Sequence, residues 1–258
     1  MIFDWFAKRR RDKLRAEPFP DAWRGFVERN VPYVKTLSPE QRKDLDGYIQ
    51  IFVAEKSMEG CGGLELTDEI RVTIAAQACL LLLGRDRDPY PAIDVILVYP
   101  SAFKSKTTNA AGGIVVEGEQ ARLGEASTRG VLVLSWDDVL KGARDPRDRH
   151  NVVIHEFAHA LDHEDGSSDG APVLSQRQNY APWAEVLGRE YEQLLDDEAR
   201  HRKTIVDKYG ATNPAEFFAV VTETFFEKPV QLKNNHPELY EQLALYYKQD
   251  PAARQAKR

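Results

Sequence analysis

The sequence predicts an α+β fold in which helices surround a small mixed β-sheet. Three short, apolar and β-branched runs are typical of strands: Ala92 to Tyr99, Gly113 to Glu117 and Gly130 to Trp136. Longer segments with capping residues precede and follow these runs, as expected of helices. With 258 residues and 42% hydrophobic content, the chain can bury a core as one large domain. We expect residues 21–258 to form this domain and residues 1–20 to form an N-terminal extension.

The N-terminal extension is basic, although the whole chain is acidic. Residues 1–16 carry six basic and two acidic side chains, whereas the formal net charge of the chain is −6. One interpretation is a surface that touches a membrane or a partner. We favour a solvent-exposed helix that docks its aromatic residues on the domain. Its charge follows the apolar part, which is the reverse of a secretory signal.

Two helices are predicted before the strands. Ser38 and Pro39 begin the first, which runs toward Lys56. Thr67 begins the second, which ends at Gly84. Both are interpreted as scaffold helices.

Cysteine usage and hydropathy favour a cytoplasmic protein with no membrane span. Cys61 and Cys79 are the only cysteines, so no disulfide framework is predicted. The longest apolar run, Ala78 to Leu83, is far too short to cross a bilayer. No recognisable nucleic-acid motif is present, so direct binding of DNA or RNA is not expected.

The most informative motif is H-E-x-x-H, formed by His155, Glu156 and His159 directly after an apolar run. On a helix capped by Asn151, the two histidines project from one face and can hold one metal ion. Glu156 lies about 100° further round the helix. Because the surrounding residues are apolar, these polar groups need partners, and a zinc ion supplies them.

A catalytic zinc normally takes three protein ligands, so a third must come from elsewhere. The metzincin pattern requires glycine and histidine at positions where this chain has Asp162 and Asp165, which excludes that class. His163 would lie about 12 Å along the helix axis from His155, and could bind only if the chain turned back sharply. The stretch from Ser175 to Tyr180 offers no glutamate.

A second buried helix offers the best donors. Asn213 and Pro214 mark its start, and it carries Glu216 and Glu223, seven residues apart and therefore on one face. Glu216 could instead complete a capping box with Asn213. Glu223 could instead accept a hydrogen bond from a zinc-binding histidine. The residues alone favour Glu216 over Glu223 but leave both open. Three further acids also remain candidates: Glu185, Glu190 and Glu192.

Two runs resemble the signature of the MtfA (Mlc titration factor A) family of zinc-dependent peptidases. They are His155 to Asp162 and Asn213 to Val220. Similar stretches extend through Leu66 to Cys79 and Val131 to Trp136, so the resemblance covers most of the chain. It implies a zincin-like catalytic domain, similar to the anthrax lethal factor protease domain.

The resemblance also implies a complete site. His155, His159 and Glu216 would bind one Zn²⁺ per chain, with Glu156 as general base and Tyr209 as a catalytic tyrosine. A zinc held this way lowers the pKa of its bound water, and Glu156 can accept the proton as a peptide carbonyl is attacked. Tyr209 could donate to the oxyanion, or could simply pack at a loop edge. The expected function is a zinc metallopeptidase with aminopeptidase-like activity on peptide or protein substrates.

Two nearby segments each have two interpretations. The strand from Gly130 to Trp136 could receive an extended peptide at a sheet edge, or could be internal. The acidic stretch from His163 to Gly170 could form a lid, or a mobile connector. A helix from about Pro182 to His201 is predicted to bridge to the second site helix.

The resemblance further implies a regulatory partner, the glucose-responsive transcriptional repressor Mlc, and through it a role in glucose uptake. The alternative is a protein that binds and titrates such a regulator, with a zinc site that is structural or latent. A closed structural zinc site uses four protein ligands and needs no base, whereas this chain keeps Glu156. That difference favours catalysis.

Overall fold

The structure is a computed structural model that describes residues 2–85, 90–101, 124–126, 130–144 and 150–255, with only the backbone of residues 2–4 and 124–126. The helices are α1 (Ile2–Ala16), α2 (Asp21–Asn30), α3 (Pro39–Glu55), α4 (Asp68–Leu80), α5 (Trp136–Arg144), α6 (Val152–Asp162), α7 (Tyr180–Ala199), α8 (Pro214–Glu227), α9 (Pro229–Asn235), α10 (Pro237–Tyr247) and α11 (Pro251–Gln255). The strands are β1 (Ser57–Gly60), β2 (Val95–Tyr99), β3 (Gly124–Ala126) and β4 (Val131–Ser135).

The four strands form one mixed sheet in the order β1-β2-β4-β3. Strands β1, β2 and β4 are parallel, and β3 runs antiparallel to β4. The predicted α+β fold with a small mixed sheet is therefore confirmed. Because β4 lies between β2 and β3, the edge interpretation of this strand is wrong and the internal one holds. The strand predicted at Gly113 to Glu117 lies outside the described residues.

The sheet packs through one face. Ile96, Val98, Leu132 and Leu134 are completely buried, whereas the residues between them on β2 and β4 are partly exposed. This alternation follows from the two-residue period of a strand, which sends successive side chains to opposite faces. Parallel strands cannot be joined by a hairpin, and α4 provides the crossover between β1 and β2.

Helix α1 docks on α3 through its arginines. The Arg11 guanidinium donates to both carboxylate oxygens of Glu55, at 2.8–3.1 Å, and Arg15 lies 4.7 Å from the centre of the Tyr48 ring. Trp5 and Phe6 remain more than half exposed. The expectation that this extension docks its aromatic residues is therefore wrong for Trp5 and Phe6, whereas Phe19 packs against the core. Along α1 the long arginine side chains make the contact.

Helix α6 is anchored from behind by an aromatic cluster. Phe157 is fully buried, and its ring centre lies 4.5 Å from that of Tyr90 and 5.6 Å from that of Phe52. The Tyr90 hydroxyl donates to the carbonyl of Ala78 at 2.6 Å, which ties the cluster to α4. These contacts fix the face of α6 opposite its histidines.

The start of α6 depends on a glycine in α5. A Cβ at Gly142 would lie 2.6 Å from the His150 carbonyl oxygen and 2.9 Å from the Asn151 Cα. Only a residue without a side chain lets α5 approach the chain so closely. The Asn151 side-chain amide also donates to the Gly142 carbonyl at 3.4 Å, which ties the start of α6 to α5.

Helices α9 and α10 contact α8, and α11 contacts α9. Helices α9, α10 and α11 begin with Pro229, Pro237 and Pro251, where proline costs no hydrogen bond because the first-turn amides have no helical acceptor.

In the described part of the chain, no helix is both long and apolar enough to cross a membrane.

Candidate metal centre

The H-E-x-x-H motif lies on α6, which begins as the sequence predicts. The side-chain oxygen of Asn151 accepts from the amide of Ile154 at 3.0 Å, so asparagine is the N-cap. His155 and His159 stand one helical turn apart, with ring centres 4.8 Å from each other. Each side chain is about one-sixth exposed, at 15% and 17%. The two imidazoles are therefore partly accessible rather than closed off in the core.

Helix α8 supplies the acid. The Asn213 side chain accepts from the amide of Glu216 at 2.9 Å, with Pro214 in the first turn. The Glu216 carboxylate does not reach back to the cap. It turns to the histidines, where its Oε2 lies 3.1 Å from His155 Nε2 and 3.3 Å from His159 Nε2. The two histidine Nε2 atoms are 3.2 Å apart.

This triangle of atoms has the dimensions of a metal site. Zinc binds nitrogen and oxygen at about 2.0–2.1 Å, and in tetrahedral geometry two such ligand atoms are about 3.3 Å apart. The three observed separations lie between 3.1 and 3.3 Å. Within the described residues, His155, His159 and Glu216 are the cluster of metal-binding side chains that meets this test. One ion fits between them, with a coordination position left for water or substrate.

Glu223 holds His155 from the other side. Its Oε1 lies 2.7 Å from His155 Nδ1, and its Oε2 accepts from the backbone amide of Asn151 at 2.7 Å. An ionised carboxylate only accepts, so Nδ1 carries a proton and the opposite nitrogen, Nε2, is directed at the cluster. The seven-residue spacing thus places Glu216 and Glu223 on opposite nitrogens of the same ring.

The remaining candidate acids lie elsewhere. Glu190 pairs with His236 Nδ1 at 2.7 Å, and Glu185 and Glu192 are exposed on α7. His163 donates within its own loop, with Nδ1 3.2 Å from the Ser167 carbonyl oxygen. None of the four belongs to the cluster of described metal-binding side chains.

The electrostatics of the cluster are those of a charged pair. Burial opposes ionisation of both groups, but the hydrogen bonds between them outweigh it. The bonds from His155 and His159 lower the pKa of Glu216 to about 2, and the bonds to Glu216 and Glu223 raise the pKa of His155 to about 10. At neutral pH the protein without metal therefore keeps a proton on His155 Nε2, where the metal would bind.

Metal binding is consequently expected to release a proton from His155. Below a pKa of about 10 this proton competes with the ion, so the apparent metal affinity should rise with pH by up to about tenfold per unit between pH 7 and 9. Calorimetric titration in buffers of different ionisation enthalpy measures the proton release. A binding heat that is independent of the buffer would contradict this expectation.

Replacing Glu223 with glutamine is expected to weaken metal binding about 10- to 100-fold without removing a ligand atom. The amide cannot accept from both Asn151 and His155, so the ring loses its fixed orientation. Dissociation constants measured with a competing chelator test this result. Glu190→Gln is the matched control, because it disrupts the comparable pair with His236 away from the cluster and should leave metal affinity unchanged.

Two further side chains border the cluster. Glu156 is 6% exposed, and its charge acts on His155. Tyr209 is 44% exposed, with its ring centre 6.0 Å from that of His155. The Asp207 carboxylate accepts from the Tyr209 amide at 2.9 Å, and the 3-10 turn that follows packs against α8. The turn thus places Tyr209 beside His155.

The end of α6 carries an acid whose role was not predicted from the sequence. Asp162 is fully buried, and its Oδ2 accepts from the amide of Gly170 at 3.0 Å. Burial raises its pKa to about 6. The Trp183 indole donates to the Gly170 carbonyl at 3.1 Å, so the end of the 163–170 segment is anchored on α6 and α7. An acid directly after the apolar residues Ala160 and Leu161 was the available signal.

Comparisons with known proteins identify the family of this chain. The model of the glucose-regulated metallopeptidase M90 family matches residues 5–248. The chain is 44% identical over 250 residues to an uncharacterized protein of Synechocystis sp., covering 96% of this chain and 90% of that protein. It is 33% identical over 230 residues to Mlc titration factor A of Serratia proteamaculans, covering 87% and 86%. It is 29% identical over 238 residues to Mlc titration factor A of Yersinia enterocolitica, covering 90% and 86%. The chain belongs to the glucose-regulated metallopeptidase M90 family, with a zincin-like α+β fold.

Proposed function

We propose that this metallopeptidase is zinc-dependent and hydrolyses peptide bonds, with aminopeptidase-like activity. His155, His159 and Glu216 are its zinc ligands in this proposal. The observation that carries it is the triangle of donor atoms 3.1–3.3 Å apart, with Glu156 on the same helix as two of them. A three-residue set leaves one position open, which is the arrangement of a catalytic rather than a structural zinc.

The chemistry proposed here divides between the ion and two side chains. Bound zinc supplies Lewis acidity, which polarises the substrate carbonyl and acidifies a water molecule. The buried Glu156 carboxylate accepts the proton of that water and delivers it to the leaving amine. The Tyr209 phenol, whose ring lies beside His155, donates a hydrogen bond to the developing oxyanion.

We propose that the substrate lies along β3. This strand ends the sheet among the described strands, runs antiparallel to β4 and contacts α6. An edge strand offers unpaired backbone groups that an extended peptide can match with its own. Such pairing would hold the scissile bond over the helix that carries the histidines.

The test is metal content combined with hydrolysis of a panel of aminoacyl substrates and internally quenched peptides, with free and blocked N-termini. We expect about one zinc per chain, cleavage that chelation abolishes and that zinc restores, and a preference for free N-termini. Cleavage of blocked peptides alone would replace the aminopeptidase assignment with an endopeptidase one. Stoichiometric zinc without cleavage of any substrate would overturn the peptidase proposal.

A second candidate function is binding of a transcriptional repressor. Two relatives carry the name Mlc titration factor A at 33% and 29% identity, and this supports an Mlc-like partner for the present chain. The test compares binding of the purified repressor to the zinc-loaded protein with its binding to the chelated protein. This comparison distinguishes repressor binding from peptidase activity. Equal binding in both states, without peptidase activity, would favour titration as the function.

We also propose that the protein acts in the cytoplasm, as one catalytic domain at residues 21–258 after the extension at 1–20. Cys61 and Cys79 are both unpaired, which suits a reducing compartment. Cys79 is fully buried, and burial raises the pKa of its thiol. Fractionation with measurement of the thiol redox state tests this location.

A further inference from the structure

A second recess lies away from the metal centre, between the end of α4, the start of α7 and helix α10. Its volume is about 310 Å³, at the lower end of the range for small-molecule sites. Its apolar walls come from Val173, Leu174, Pro182, Trp183, Leu245 and Tyr246. Its polar lining comes from Arg85, Ser175, Asn179, Gln242 and Lys248. We call it the Arg85 recess.

The Arg85 guanidinium is the unusual group of this recess. The residue is only 5% exposed, and within the described residues its Nη1 has no hydrogen-bond partner. The Tyr246 side chain and the charge of Glu164 act on the guanidinium, but the Nη1 donor has lost water without gaining an acceptor, which is costly. Arginine is also always charged in proteins, so it cannot escape this cost by losing a proton.

The position of Arg85 is fixed by its surroundings. Its carbonyl accepts from the Tyr48 hydroxyl at 2.6 Å, which pins the backbone. Its guanidinium carbon lies 4.2 Å from the centre of the Tyr246 ring, which holds the head group in place. A cationic side chain that is held in this way and lines a recess is preorganised for a ligand.

The charge of the lining indicates an anion. Arg85 and Lys248 are both cationic, and no carboxylate occurs among the described residues that line the recess. Glu164 acts on the charge of Arg85 but is not part of this lining. The walls are largely apolar, and Leu245 at the rim is 69% exposed. The lining therefore matches a molecule with one anionic end and an apolar body.

We propose that the Arg85 recess binds a small carboxylate that carries an aromatic or branched aliphatic group. The carboxylate pairs with the Arg85 guanidinium, and the apolar group lies against Trp183 and Leu245. The same chemistry occurs in a free organic acid and at the C-terminus of a peptide with an apolar last residue.

The test is calorimetric titration of the zinc-loaded protein with N-acetylphenylalanine, its amide and 3-phenylpropionate. Saturable binding of either acid, with the amide binding at least about tenfold more weakly, is expected. Tighter binding of N-acetylphenylalanine would assign a peptide terminus, and tighter binding of 3-phenylpropionate a free acid. No saturable binding of either acid up to about 10 mM, or equal binding of the amide, would overturn the proposal.

Variants separate this recess from the metal centre, which also attracts carboxylates. Arg85→Gln should reduce affinity about 10- to 100-fold, whereas Arg177→Gln, an exposed arginine outside the lining, should not. Binding that survives Arg85→Gln belongs to the metal centre and overturns the proposal. If Arg85→Gln does not fold, Leu245→Glu decides, because it places a negative charge at the exposed rim and should also weaken binding.

Discussion

Replacing Glu156 with glutamine is expected to lower the turnover number of peptide hydrolysis about 10²- to 10⁴-fold, the contribution typical of a positioned general base. Glutamine has almost the same shape as glutamate but cannot accept a proton at neutral pH. Glu156 does not belong to the cluster of metal-binding atoms, so the variant should retain its zinc. Steady-state kinetics and metal analysis on the same preparation measure both results.

The control for this variant is Glu185→Gln, which makes the same chemical change on the exposed surface of α7. It should keep the turnover of the parent. If Glu156→Gln also keeps full turnover, another group is the base and the proposed role of Glu156 is wrong. If it loses zinc, Glu156 supports the metal and the loss of activity says nothing about proton transfer.

Replacing Glu216 with alanine is expected to reduce zinc affinity roughly 100- to 1,000-fold. Zinc-binding free energies of about 10–16 kcal/mol, shared among four ligands, put about 2.5–4 kcal/mol on each. The helix itself should persist, because Asn213 caps it through the backbone amide of residue 216, which alanine keeps. Circular dichroism should therefore be unchanged while metal content and hydrolysis fall together.

Glu192→Ala is the control for the Glu216 variant, since Glu192 is an exposed acid on α7 that the sequence alone left as a candidate ligand. It should bind zinc as the parent does. Unchanged zinc affinity in Glu216→Ala would assign the third ligand to a different acid. If Glu216→Asp retains part of the zinc affinity, the amount retained measures how strictly the 3.1–3.3 Å separations are required.

The site could be predicted from sequence as far as local geometry reaches. The four-residue spacing of His155 and His159, and the cap at Asn151, both follow from the helical repeat. The seven-residue spacing of Glu216 and Glu223 placed both acids on one face of α8. It could not show which of them meets Nε2, because that depends on how α8 crosses α6. The direct contacts of both acids with His155 resolve this.

Non-local features of the fold were harder to predict. Strand β1 has four residues, with Met58 alone buried, and among the described strands it pairs with β2, more than thirty residues later. Parallel pairing leaves no turn signal in the sequence. The order of the strands, and hence the internal position of β4, could not be predicted for the same reason. The C-terminal helices did carry a local signal, the prolines at their first positions.

Because of the contact at Gly142, a substitution outside the H-E-x-x-H motif can also disrupt the metal centre. A side chain at this position would push the His150–Asn151 backbone, and with it the first turn of α6, away from α5. Glu223 joins α8 to the Asn151 amide and to His155, so that displacement would reach the ligands directly. A homologue that preserves H-E-x-x-H and the later glutamates, but has a larger residue here, would pass a motif search while having lost its metal.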